Sequence, residues 1–180
     1  PCRSDRHVAA VKPPGQRAFL SLGGNIGDPD RAMGMALRLL DTDPSTKVVA
    51  VSALYRTPPW GKTDQPDFLN AAAELRTSLS PRGLIDLCLA SERALKRERG
   101  ERWGPRLIDI DILTFGDLTV SEPGLDIPHP RMLERAFVLV PLAEIAADLV
   151  VAGVSVRDRV DSIDHAGIDR LERVPDWWRR

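Results

Sequence analysis

Two aspartates, one residue apart within a run of isoleucines, are the residues of this sequence best suited to chemistry. They are Asp109 and Asp111 in RWGPRLIDIDI, residues 102–112. Alternate side chains of a strand point to the same face, so the two carboxylates would lie together. Such close charges repel unless something neutralises them, and Mg²⁺ is typically held by one or two carboxylates plus substrate phosphates. The alternative is a pair of solvated aspartates on an exposed sheet face.

Arginines are concentrated just before this pair. They are Arg97, Arg99, Arg102 and Arg106, and Arg131 and Arg135 follow later. Guanidinium groups bind phosphate oxygens in a bidentate way, so arginines beside paired carboxylates favour a site for a polyphosphate and a metal. A charge run is also typical of a solvated helix end, and Glu98 and Glu101 dilute this one. The chain has no Gly-x-x-x-x-Gly-Lys-Ser/Thr loop, and GGNIGD at Gly23 lacks the dinucleotide-binding fingerprint.

Hydrophobic patterns and turn residues predict the elements that would position these side chains. Strands are predicted at 18–23, 47–55, 68–78 and 107–115, with helices opening at Asp28-Pro29 and Ser80-Pro81. The order β-α-β-β-α-β is typical of a ferredoxin-like α/β (α+β) fold, with helices packed on one face of a sheet. A C-terminal helical extension is expected from about Pro130. Alternation predicts that Ile108, Ile110 and Ile112 face the helices, while Leu107, Asp109, Asp111 and Leu113 face the open side.

Length and composition fit one folded domain. Of the 180 residues, 43% are hydrophobic and 28% are charged, and the net charge is -1. We expect a flexible leader over residues 1–17 and a single domain over 18–180. No apolar run approaches the roughly 18 residues of a membrane-spanning helix, and the charge gives no bulk attraction to nucleic acid. We therefore expect a cytoplasmic monomer without membrane or nucleic-acid partners.

Four longer motifs carry a resemblance to a known family. They are SLGGNIGD, YRTPPWGKTDQPDFLNAAAEL, RWGPRLIDIDIL and IPHPRMLERAFVLVPLAEIAADL, in this order. Together they resemble the 6-hydroxymethyl-7,8-dihydropterin pyrophosphokinases over about residues 18–160. The resemblance implies a ferredoxin-like fold and transfer of the β,γ-pyrophosphoryl group of ATP to the hydroxymethyl oxygen of the pterin. AMP would be released, two Mg²⁺ ions would be the cofactors, and the pathway would be folate biosynthesis.

The resemblance also implies roles for individual residues. Asp109 and Asp111 would bind magnesium, and Arg97 and Arg99 would lie on a mobile catalytic loop. The ATP site would be lined by Glu92, Arg106, Ile112, His129 and Arg135. The pterin site would be lined by Thr57, Pro58, Trp60, Phe68, Asn70 and Phe137. The two phenylalanines would clamp the flat pterin, and the Asn70 amide would match its mixed rim of donors and acceptors.

The sequence also departs from the family pattern. Lys96 stands where a glycine is frequent in the loop, and Gly124 and Asp126 stand where some relatives have an arginine and a threonine near the nucleotide.

Each assigned residue has a purely structural alternative, namely core packing for the phenylalanines and a structural hydrogen bond for His129. Two other functions also stay open. One is a different phosphotransferase on the same scaffold. The other is a single-stranded RNA binder, which would need aromatic side chains and a broad basic surface on the open sheet face.

Overall fold

The structure is a computed structural model that describes residues 15–59, 61, 63–95, 107–171 and 175–180. The first half comprises β1 (Gln16–Gly24), α1 (Pro29–Thr42), β2 (Thr46–Val51), β3 (Tyr55–Thr57), β4 (Phe68–Thr77), α2 (Pro81–Ala94) and β5 (Asp109–Phe115). The second half comprises β6 (Val120–Glu122), β7 (Leu125–Ile127), α3 (Ala136–Ala146), β8 (Val150–Val151), β9 (Val154–Ser155), α4 (Val156–Ser162) and β10 (Asp169–Arg170). Single turns of 3-10 helix lie at Met132–Glu134 and Trp177–Arg179. No helix in these ranges combines the length and hydrophobicity needed to span a lipid bilayer.

Both long helices begin at the predicted caps. The Asp28 carboxylate accepts a hydrogen bond from the backbone N–H of Arg31 at 3.1 Å, and Ser80 Oγ accepts one from Gly83 N at 3.1 Å. A proline follows each cap at the first helical position, where its missing N–H leaves no helical hydrogen bond unmade. These local signals fix where α1 and α2 leave the sheet.

The main sheet has the strand order β10-β3-β4-β1-β5, and β2 also pairs with β4. All of these pairings are antiparallel, and β1 lies between β4 and β5. The order β4-β1-β5, with β2 and β3 beyond β4, confirms the predicted ferredoxin-like arrangement. The small hairpins β6–β7 and β8–β9 were not predicted.

The predicted strand over residues 47–55 is wrong as a single element, because Ser52 interrupts it. The Ser52 N–H donates to Ala72 O at 2.9 Å, and Ser52 Oγ accepts the N–H of Ala72 at 2.9 Å. The hydroxyl thus replaces a backbone carbonyl in the ladder, while the chain turns between β2 and β3. Both pieces still pair with β4, so the predicted topology survives.

Two hydrophobic layers enclose the sheet. One face packs under α1 and α2 and includes Ile108, Ile110 and Ile112, as predicted. Leu107 also packs against this layer, which contradicts its predicted place, because β5 begins only at Asp109 and strand alternation does not reach back to residue 107.

The opposite face is not open along its whole length. Phe19, Ala72 and Leu113 are buried there against the α3 residues Val138, Leu139 and Leu142. The expectation of helices on one face only is therefore wrong. The apolar side of α3 is buried against this face of the sheet, which strand alternation alone leaves open.

Candidate functional site

The strand register places Asn70 and Asp109 on the same sheet face. Gly23 of β1 lies opposite Asn70 of β4 on one side and opposite Asp109 of β5 on the other. Directly opposed residues of antiparallel strands point their side chains to the same face. Their Cα atoms are therefore about 10 Å apart, two strand spacings, and the residue between them has no side chain. The predicted pterin-reading amide and a predicted metal ligand thus line one shallow trough.

Asp109 and Asp111 lie at the start of β5, and both are half-buried. Asp111 lies opposite Ser21 of β1, so it shares the face of Asp109, about 7 Å further along the strand. Among the described residues, no group of three or more His, Cys, Asp or Glu side chains could hold a metal ion by itself. Two carboxylates on one strand face fit Mg²⁺, which proteins typically hold by one or two carboxylates together with substrate phosphates and water.

Glu92 of α2 stabilises the start of β5, where the two aspartates lie. Its side chain is 2% exposed, and its Oε1 accepts a hydrogen bond from the backbone N–H of Ile110 at 2.7 Å. Among the described residues β5 is the last strand of its sheet, so this N–H has no neighbouring strand there to pair with. Ile110 lies between the two aspartates, so the α2 carboxylate fixes the backbone that carries them. No local sequence pattern indicates this contact, because the two residues are 18 positions apart in the chain.

His129 lies next to β5 on the same side as the aspartates. Its backbone N–H donates to Leu113 O at 2.9 Å, and its Nδ1 accepts the N–H of Arg131 at 3.1 Å. Burial lowers the pKa of His129, Arg135 and Arg131 lower it further, and Asp109 opposes them. In the neutral ring Nδ1 is the acceptor, so the proton lies on Nε2, which can donate to a phosphate oxygen.

Arg135 and Phe137 connect the predicted ATP site with the predicted pterin site. Arg135 is largely buried, and its guanidinium carbon lies 5.6 Å from the centre of the Phe137 ring, a cation–π contact. Phe137 packs against the layer beneath α3 and belongs to the first turn of that helix. The predicted phosphate-binding arginine and one predicted pterin-clamping ring are therefore in contact.

The other predicted pterin-binding residues lie on β3 and β4. Asn70 Nδ2 donates to Thr57 Oγ1 at 2.6 Å, and both residues are buried. This bond leaves the Asn70 carbonyl oxygen and its second N–H for a ligand. Phe68 is half-buried opposite Thr57, and Pro58 follows β3 directly. The resemblance implied that Thr57 lines the pterin site, and the orienting role of its hydroxyl was missed.

The two glycines at the end of β1 allow neighbouring parts of the chain to approach closely. A Cβ at Gly24 would lie 2.2 Å from the carbonyl oxygen of Leu107, just before β5. A Cβ at Gly23 would lie 2.7 Å from Asn70 Oδ1. Asn25 then continues the chain, and its Nδ2 donates to Pro66 O at 2.9 Å, which joins this turn to the loop before β4.

Alanine at these two glycines should have different effects. Gly24→Ala places a methyl group against a backbone carbonyl that cannot rotate away, so we expect a loss of ~1–3 kcal/mol, the usual cost of overpacking. For a chain of this size that lowers Tm by roughly 2–12 °C. Gly23→Ala meets a side-chain oxygen, which can turn aside, so its Tm should fall less. Thermal unfolding of both variants checks this, and an equal loss would contradict the close approach at Gly24.

Two residues that depart from the family pattern lie in the β6–β7 hairpin. Gly124 lies in the turn of the β6–β7 hairpin with φ +75°, a conformation that favours glycine. Asp126 of β7 accepts a hydrogen bond from Ser121 Oγ at 2.9 Å across the same hairpin. Both residues therefore stabilise a hairpin turn in this chain.

One predicted site residue faces away from the site, and four others belong to the part of the chain that the structure does not describe. The Ile112 side chain is buried under the helices, so a contact with nucleotide would fall to its backbone and stays a prediction. Trp60, Arg97, Arg99 and Arg106 lie outside the described residues, as does most of the predicted leader. Their roles stay predictions too.

Comparison with known proteins shows the family to which the chain is related. A family-wide sequence profile described as 7,8-dihydro-6-hydroxymethylpterin-pyrophosphokinase (HPPK) matches residues 19–147. The 2-amino-4-hydroxy-6-hydroxymethyldihydropteridine pyrophosphokinase of Methylorubrum extorquens is 53% identical over 87% of this chain and 99% of its own length. The protein of the same name from Pseudomonas aeruginosa is 42% identical over 87% of this chain and 97% of its own length.

Solved structures agree on the fold. The wild-type Plasmodium falciparum HPPK-DHPS crystallised with pteroate has a TM-score of 0.71 and 16% identity, covering 87% of this chain and 48% of that one. This chain thus spans about half of that protein, and the likeness concerns the fold alone. The profile covers most of the described core, and both named relatives align over nearly their whole length. The resemblance inferred from the motifs is confirmed, and the chain belongs to the 7,8-dihydro-6-hydroxymethylpterin-pyrophosphokinase family.

Proposed function

We propose that this chain transfers the pyrophosphoryl group of ATP to 6-hydroxymethyl-7,8-dihydropterin, giving the pterin diphosphate and AMP for folate biosynthesis. The observation that carries the proposal is the register that sets Asn70 and Asp109 on one face with Gly23 between them. The Asn70 amide suits the rim of the pterin, and the Asp109 carboxylate suits a cation bound to phosphate. The distance between them is about the width of one small molecule. ATP is the co-substrate.

In this proposal the residues around β5 bind the triphosphate. Asp109 and Asp111 would hold two Mg²⁺ ions together with phosphate oxygens, His129 would donate from Nε2, and Arg135 would contribute a fixed positive charge. When bound, Mg²⁺ supplies positive charge that offsets the negative charge growing on the phosphates in the transition state. Glu92 keeps the two aspartates at a fixed spacing through the Ile110 N–H.

The reaction then depends chiefly on positioning and electrostatics. Asn70, oriented by Thr57, would align the pterin between Phe68 and Phe137 so that its hydroxymethyl oxygen faces the β-phosphorus. That oxygen forms the new bond to phosphorus while the bond from the β-phosphorus to the oxygen bridging the α- and β-phosphates breaks, and AMP leaves. Arg97 and Arg99 would close over the triphosphate and exclude water. The hydroxymethyl proton is released to solvent in this reaction, and we assign no side chain as its general base.

Resolving AMP from ADP tests the reaction class directly. With ATP, Mg²⁺ and hydroxymethyldihydropterin, AMP should appear in step with the pterin diphosphate. EDTA should stop turnover, and excess Mg²⁺ should restore it. ADP formed in a pterin-dependent reaction would instead indicate a phosphotransferase of another class. ATP turnover without pterin binding would indicate a repurposed pterin pocket.

The low pKa of His129 predicts a pH dependence of stability. In the unfolded chain histidine takes up a proton near pH 6.5, whereas the folded protein does so only at lower pH. The stabilisation is therefore fully present above pH 6.5 and is lost as pH falls through the folded-state pKa. We expect the free energy of unfolding of the apo protein to decrease between pH 7 and pH 5. Denaturant titrations at several pH values measure this decrease.

His129→Asn provides the control for that pH dependence. Its Oδ1 can still accept the Arg131 N–H, but the side chain no longer titrates. The variant should show a flatter pH profile over the same range. An unchanged slope would assign the pH dependence to other groups.

The monomeric state, the cytoplasmic location and the absence of membrane and nucleic-acid partners also stay predictions.

A further inference from the structure

The C-terminal residues hold the short strand that forms one wall of the proposed pterin site. β3 has only three residues and lies between β4 and β10. Arg170 of β10 lies opposite Tyr55, and the backbone N–H of Leu171 donates to Leu54 O at 2.8 Å. β10 thus occupies the sheet edge that β3 would otherwise expose.

A second contact reaches the chain just before β3. The indole N–H of Trp177 donates to the carbonyl oxygen of Ser52 at 2.9 Å, and the Trp177 side chain is buried. Trp178 is buried beside it, and its carbonyl oxygen accepts a hydrogen bond from the Arg38 side chain of α1 at 2.5 Å. The tail therefore docks on the domain, and one of its two tryptophans bonds directly to the turn that separates β2 from β3.

Glu144 of α3 joins these contacts into one network. Its Oε2 accepts hydrogen bonds from Ala53 N at 3.1 Å and from the Tyr55 hydroxyl at 2.7 Å, while its Oε1 accepts one from Arg170 at 3.1 Å. Burial and the Glu144 carboxylate raise the pKa of Tyr55 to about 12, so the hydroxyl stays a donor at neutral pH. The same α3 carries Phe137 near its other end.

We propose that Arg170, Leu171 and Trp177, which we call the C-terminal clamp, are positioning residues for the pterin. They fix β3 against β4, so that Thr57 can orient Asn70 through the 2.6 Å hydrogen bond. All three lie beyond residue 147, where the family profile ends. This inference rests on the proposed function, because it assigns the pterin to the Asn70 side of the trough.

The position of the clamp predicts which substrate it affects. β4 and β1 separate β3 from the aspartate-bearing β5. Loosening β3 should therefore weaken pterin recognition and leave ATP recognition unchanged. A residue that only contributed to stability would affect both substrates alike, or neither.

Trp177→Phe and Trp178→Phe form a matched pair that tests this. Each loses the same atoms in the same buried turn, but only Trp177 loses the hydrogen bond to Ser52. We expect Trp177→Phe to raise the KM for the pterin about 3–10-fold at saturating ATP, the change that one neutral hydrogen bond typically makes to an equilibrium. The KM for ATP should stay within about twofold, and Trp178→Phe should leave the KM for the pterin unchanged at a similar loss of Tm.

Arg170→Met offers a second pair, with Arg157→Met as its control. Arg157 forms an ion pair with Asp148 at 3.2 Å on α4; its side chain is about as exposed as that of Arg170, although Asp148 is more exposed than Glu144. Arg170→Met should raise the KM for the pterin and speed amide hydrogen exchange in β3, whereas Arg157→Met should do neither. Exchange is measured on the full chain without substrates, so it does not depend on catalysis.

The outcomes separate the two proposals. If the wild-type chain forms no AMP with the pterin, the proposed function fails, and the clamp as a device for pterin binding fails with it. If the wild type is active but Trp177→Phe and Trp178→Phe change the KM for the pterin equally, the clamp is overturned and the function stands. Unchanged β3 exchange in both Trp177→Phe and Arg170→Met would also overturn it.

Discussion

Asp109→Asn and Asp111→Asn are each expected to lower the rate of AMP formation by at least ~10²–10³-fold, the typical cost of losing one group that stabilises developing charge in a transition state. Asparagine keeps the shape of aspartate but removes the charge that would hold Mg²⁺ against the phosphates. The increase in Tm on adding Mg²⁺ and ATP should shrink as well, because the variant binds the ion more weakly.

Asp117→Asn is the matched control for both changes. Asp117 is exposed in the turn after β5, so its variant should keep wild-type turnover and wild-type stabilisation by Mg²⁺. The KM for the pterin should change little in all three variants, because Asn70 and the phenylalanines carry pterin recognition. Near-normal turnover of either site variant would reject that residue as a metal ligand and favour a solvated surface aspartate.

Asn70→Leu is expected to raise the KM for the pterin by roughly 5–150-fold, because buried donors and acceptors left unpaired cost ~1–3 kcal/mol. Leucine fills nearly the same volume but cannot match the rim of the pterin or bond to Thr57. Thr57→Val removes only the hydroxyl that orients the amide, so its effect should be smaller but in the same direction. The KM for ATP should stay close to wild type in both. Steady-state kinetics with each substrate varied in turn give these values.

Thr46→Val controls for loss of a buried hydroxyl in the sheet. Thr46 is buried and its hydroxyl donates to Leu40 O, but it lies opposite Thr77, at the far end of β4 from Asn70. This variant should lose stability without any change in the KM for the pterin. If it changed that KM as much as Thr57→Val does, the Thr57–Asn70 bond would have no specific role in recognition.

Features that depend on near neighbours in the chain could be predicted from the amino-acid pattern alone. The caps at Asp28 and Ser80 and the prolines after them fix the starts of both long helices within one turn of backbone. Alternation within β5 was enough to separate the isoleucines from the aspartates, because neighbouring side chains of a strand point to opposite faces. The order of the elements and the four motifs gave the fold class and the family.

Contacts between residues that are distant in the chain could not be predicted and are known from the three-dimensional fold. The hydrogen bonds of Ser52 to Ala72 split a strand whose local pattern is continuous, and α3 covers a sheet face that alternation alone leaves open. Glu92 contacts Ile110 across 18 positions and Trp177 contacts Ser52 across 125, so neither contact leaves a periodic signal. The sequence places Gly23 and Gly24 at the end of a predicted strand, but the close approach of Asn70 and Leu107 to them is visible only in the structure. These contacts are set by packing between separate elements, and propensity and periodicity act only within one element.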